Sequence, residues 1–98
     1  MSKLTKDYRE SLLQDLQDPA EAAAYLTAAL EEGDSAVFLL ALRDVADAKG
    51  LSTLATQAHL NRENLYRMLS AQGNPQFDSL TALLDALDLR LAITVKAP

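Results

Sequence analysis

Between Asn61 and Ser70 the segment NRENLYRMLS separates two kinds of side chain on two sides of a helical repeat. Leu65, Met68 and Leu69 recur at the spacing of an inward face, which leaves Arg62, Glu63, Asn64, Tyr66, Arg67 and Ser70 outward. These guanidinium, carboxylate, amide, phenol and hydroxyl groups can donate to or accept from base edges and phosphate oxygens. Arg62 stands at the start, where a reading helix reaches the bases. A bidentate contact to guanine is one role for it, and a salt link to Glu63 or Asp78 is the other. Arg67 is better placed for a phosphate. Tyr66 either faces a phosphate or a thymine methyl, or packs at the helix edge.

The elements that must position these groups lie within Leu51–Gly73, LSTLATQAHLNRENLYRMLSAQG, which predicts two short helices. Ser52 can cap the first, with Leu54, Ala55 and Ala58 inward, and Asn61 can cap the second. As caps, both would lie near phosphates. Only His59 and Leu60 are left to turn the chain, a spacing that suits a helix-turn-helix whose second helix enters a DNA major groove. Small Ala55 permits close approach, and Leu60 can plug the space beneath the turn. The position of His59 calls for a positive φ, which His reaches more readily than most residues but less readily than Gly. The same pattern also fits a plain structural hairpin, and both readings stand at this level.

Other chemistry finds no footing. His59 is the one histidine, with no cysteine beside it and no His-x-x-x-His spacing, so no structural metal site is expected. Glu31 and Glu32 fall at a helix end, and Asp44 and Asp47 on an outer face; all four read as solvated carboxylates. No phosphate-binding loop and no nucleophile with a companion base is present, so neither catalysis nor a cofactor is expected. Tyr8 and Tyr25 lie on apolar faces and read as core residues with wet hydroxyls.

Ninety-eight residues suit one domain, and three glycines and three prolines in an alanine- and leucine-rich chain favour helices. The absence of cysteine fits a reducing cytoplasm. The N-terminus has no signal-peptide core, and no apolar run approaches the ~18 residues of a membrane span. The net charge of −5 is unevenly spread: residues 1–50 carry five basic and ten acidic groups, residues 51–98 four of each. Between Leu51 and Phe77 the net charge is +1, a weak footprint for DNA. Tight duplex binding would therefore need a second copy or a partner, and the acidic half suits a basic protein.

Residues 1–6 are polar and read as a flexible N-terminus. Tyr8, Leu12, Leu13 and Leu16 then predict a helix over Asp7–Gln17. Asp18 and Pro19 open the next helix as N-cap and first residue, with Glu21 able to complete a capping box. Gly33 ends that helix and Asp34 caps the third, at 35–49. Val37, Phe38, Leu40, Ala41, Leu42, Val45 and Ala46 make it the central buried helix, ended by Gly50. After Gly73-Asn74-Pro75, Leu80, Leu83, Leu84 and Leu87 predict a last helix within 76–88, with Phe77 packing at its start. Over 89–96 the period changes to two, since Leu89, Leu91, Ile93 and Val95 alternate with polar or small residues. That pattern predicts a short C-terminal strand with no companion in this chain. It would pair with a second copy or another protein, or lie over the helices. Residues 1–98 thus read as one all-α bundle of about six helices with a C-terminal β-strand, its N-terminal helices at 7–50 and its helix-turn-helix at 51–73.

The chain resembles the HigA-type addiction-module antidotes, antitoxins with an XRE-like, lambda-repressor-like helix-turn-helix. The likeness is carried by AAYLTAALEEGD within residues 23–34, by Asn61-Arg62-Glu63-Asn64-Leu65-Tyr66-Arg67, by Gly73-Asn74-Pro75 and by Leu87-Asp88-Leu89-Arg90-Leu91. The family pattern often has glycine where His59 and Asp88 stand. The resemblance implies a cytoplasmic, non-catalytic antitoxin that binds a small basic toxin of the RelE/HigB kind. It also implies repression of its own operon through a palindromic operator; the weak charge footprint and the unpaired C-terminal strand point to a homodimer. The alternatives are a DNA-binding regulator without a toxin partner and a protein-interaction module that does not bind DNA.

Overall fold

The computed structural model describes residues 2–97, with side chains described from Lys6 onward. Six helices follow one another: α1 (Ser2–Asp15), α2 (Pro19–Glu31), α3 (Ser35–Lys49), α4 (Leu51–Gln57), α5 (Arg62–Met68) and α6 (Phe77–Ala86). The first begins earlier than Asp7, so Ser2–Lys6, expected to be loose, are helical. No glycine or proline interrupts that stretch, and helix propensity carries through it.

The boundaries follow local chemistry. The Asp18 carboxylate accepts from the Ala20 N–H at 3.0 Å, and the Asp34 carboxylate from the Ala36 N–H at 2.9 Å. Each such cap contributes about 1 kcal/mol. The second half of the expected capping box is not formed: the Asp18 N–H donates instead to the Asp15 carbonyl at 3.1 Å. Four helices end on a residue of positive φ: Gly33 (φ 78°) after α2, Gly50 (φ 101°) after α3, His59 (φ 58°) after α4 and Asp88 (φ 62°) after α6. After α4, the Leu60 N–H reaches back to the Ala55 carbonyl at 2.9 Å and the His59 N–H to that of Thr56 at 3.2 Å. After α6, the Leu89 N–H reaches Leu84 at 2.8 Å and the Asp88 N–H reaches Asp85 at 3.0 Å. Both are the same two-bond helix stop, which satisfies carbonyls the helix leaves open.

The core is aliphatic. Leu42, Val45, Leu54, Leu65, Leu69 and Leu83 are its largest fully enclosed side chains, drawn from α3, α4, α6 and α5 with its C-terminal end. The central helix packs against α1, α2 and α4, and α4 also packs against α5 and α6. Leu80, Leu83, Leu84 and Leu87 face this core as their spacing predicts.

Several apolar residues depart from the pattern. Val37 and Leu40 on α3 are 37% and 50% exposed, because α1, α2 and α4 together cover only part of the helix. Tyr8 is 72% exposed, since burial along α1 begins only at Leu12. Phe77 is 67% exposed at the outer end of α6 and does not pack as expected.

The C-terminal strand is also absent: residues 89–97 run as irregular chain. A strand exists only as half of a ladder, and no described segment pairs with this one. Leu89 packs against the core, while Ile93 and Val95 are 100% and 97% exposed.

Candidate functional site

The helix α5 is held from beneath. Leu65 and Leu69 are fully buried and Met68 nearly so, which turns the opposite face to solvent. Its start is set by Asn61, whose side-chain oxygen accepts from the Glu63 N–H at 2.7 Å and the Asn64 N–H at 3.4 Å. Arg62, Glu63, Asn64 and Arg67 are exposed, and Tyr66 is partly covered. Neither Arg62 nor Arg67 joins a described ion pair. The expected salt link of Arg62 to Glu63 or Asp78 is therefore not formed. Instead, Arg62 Nη2 donates to the Tyr66 hydroxyl at 3.4 Å, one helical turn on.

Two expected residues are placed differently. Ser52 does not cap α4: Gly50 takes that position with no side-chain bond, and Ser52 lies exposed in the first turn. Ser70 falls beyond the end of α5 and is half-buried. Its hydroxyl donates to the Arg67 carbonyl at 2.9 Å and so closes the helix end.

One residue of this surface was missed. Arg43, on α3, brings its guanidinium carbon to 4.8 Å from the Tyr66 ring centre, while that of Arg62 lies at 5.7 Å. The ring's negative face attracts both cations. Arg43 stands far from Tyr66 in the chain, so no local spacing signals the contact.

Behind Arg43 lies an ion-pair network. Arg9 donates to Asp44 at 3.1 Å and to Asp47 at 2.9 Å, and Arg43 Nε donates to Asp47 at 3.2 Å. The Tyr25 hydroxyl donates to the remaining Asp44 oxygen at 2.7 Å. Asp44 and Asp47 are thus half-buried structural partners and not the solvated carboxylates expected from their outer positions. Tyr25 is partly buried, and its hydroxyl has a protein partner in Asp44. Burial first, and then its bond to Asp44, pushes its pKa up to about 12. The hydrogen bond to Asp44 likewise raises the pKa of Arg9.

An exposed polar helix thus rests on an aliphatic platform, with Asp44 and Asp47 behind it engaged in ion pairs. The chain belongs to the family described as probable addiction module antidote protein, whose family model matches residues 8–95. It is also similar to an uncharacterized protein of Haemophilus influenzae (strain Rd), 33% identical over 93 residues, which cover 95% of this chain and 94% of that one. No solved structure matches the chain. Among the described residues, no helix is long and apolar enough to cross a membrane.

Proposed function

We propose that this protein is a DNA-binding antitoxin of the HigA type, acting by binding and not by turnover. It neutralises a cognate toxin of the RelE/HigB kind in the cytoplasm and represses its own operon. In this reading α4 and α5 form an XRE-like helix-turn-helix, and α5 enters the major groove. Arg62, Glu63, Asn64 and Tyr66 meet base edges, Arg67 meets phosphate, and Ser52 and Asn61 lie near the backbone. The antidote family supports the toxin partner. The observation that carries the DNA half is that Arg62 and Arg67 are exposed and join no ion pair among the described residues, while Leu65 beneath them is fully buried. One copy offers few cations on this face, so the operator-bound form is a homodimer on a palindrome.

A gel shift on the DNA upstream of the gene tests the assignment. Arg62→Ala costs about 1–3 kcal/mol and relaxes base preference at one position. Arg67→Ala weakens binding evenly across sequences and lowers the salt slope by about one. Unchanged operator binding by both variants removes α5 from the interface.

A further inference from the structure

We propose that the cleft between α2 and α3 around Leu40 receives the basic toxin; the assignment rests on the antidote reading above. The cleft has a volume of about 360 Å³ and is lined by small or apolar residues, Ala28, Ala29, Val37, Leu40 and Ala41 among them. Alanines on α2 leave it open, and Val37 and Leu40 of α3 present large apolar side chains to solvent. The charged residues lining it are Glu32 and Asp44; Asp44 is already paired with Arg9, so the charge the cleft wall offers a partner is that of Glu32.

That local bias is part of a wider one. From Glu10 to Leu42 the chain holds seven acidic residues and no basic one. Glu32 on its wall, with Glu31 and Asp34 beside it in the chain where α2 gives way to α3, is exposed like both of them, and none of the three joins a described ion pair. An apolar centre with an acidic rim fits apolar side chains flanked by lysine or arginine, and the rim steers such a surface in. A second copy meeting this cleft face to face would oppose two sets of like charges, which disfavours a two-fold contact here. The other exposed apolar row, Ile93 and Val95, is flanked by Arg90 and Lys96, so it would repel a basic partner.

The test uses the full chain and the small protein encoded beside its gene, purified separately, with association and dissociation measured directly. Leu40→Asp weakens binding about 100-fold, as loss of a central anchor does. Glu31→Lys with Glu32→Lys, which are exposed and leave the fold intact, slows association about tenfold at low salt, and the difference disappears at high salt. If the unaltered protein binds and both variants bind equally well, the cleft assignment falls while the antidote reading stands. If the unaltered protein does not bind, the antidote reading falls and takes the assignment with it. If Leu40→Asp converts a dimer to a monomer in sedimentation and leaves toxin binding unchanged, the occupant is a second copy and the proposal is overturned.

Discussion

The Arg43 guanidinium lies 4.8 Å from the centre of the Tyr66 ring, so a residue of α3 braces an aromatic side chain on the outer face of α5. Arg43 is itself anchored through Asp47, which also holds Arg9 of α1. Tyr66 therefore has both an outward and a packing role: part of its surface meets solvent and part is held by cations. If the bracing matters for duplex binding, Arg43→Ala and Tyr66→Ala are not additive. The double variant binds operator DNA no more weakly than Tyr66→Ala alone, because Arg43 acts through the ring. A double-mutant cycle by gel shift measures this, and full additivity would break the link.

Tyr25 couples stability to alkaline pH. Its pKa rises from 10.0 to about 12 on folding, so the folded state favours the neutral phenol. The resulting stability is fully present below the unfolded value and is lost as pH rises from about 10 to about 12. Tyr25→Phe cannot titrate, so its melting temperature falls less steeply than that of the unaltered protein across this window. Thermal melts at closely spaced pH values follow the difference, and parallel curves would refute it.

Gly73 is required by space. A Cβ added there would overlap the Met68 carbonyl and crowd the Ser70 carbonyl, both rigid backbone at the end of α5. Gly73→Ala therefore destabilises by about 1–3 kcal/mol, as overpacking against fixed atoms does. Urea unfolding reads the loss directly.

His59 and Asp88 carry the opposite expectation. Both hold positive φ without being glycine, and their side chains cost free energy in that region. His59→Gly and Asp88→Gly each raise stability by up to about 1 kcal/mol, while His59→Val lowers it by roughly 1–2 kcal/mol. Thermal denaturation of the three variants checks sign and order.

Much of the architecture was legible because helices and their ends are local. Asp18, Asp34 and Asn61 cap through backbone N–H groups two or three residues away. Leu65 and Met68 took the inner face of α5 at the spacing their positions dictate, which left Arg62 and Arg67 outward. The helix stop at His59 was legible for the same reason, since its bonds close within a turn. Ser52 was misjudged even locally, because Gly50 occupies the junction between α3 and α4 and starts the helix before it.

What the amino-acid sequence determined alone was therefore the succession of helices, their caps and the outward arginines of α5, all set by neighbours within about four positions. Tertiary structure alone decided whether Asp44 and Asp47 would be solvated or paired, since Arg9 meets them from a distant helix. It likewise decided that Val37 and Leu40 would remain uncovered and that residues 89–97 would form no strand. Burial, ion pairing and strand formation each need a second surface, and which surface arrives depends on how the whole chain packs.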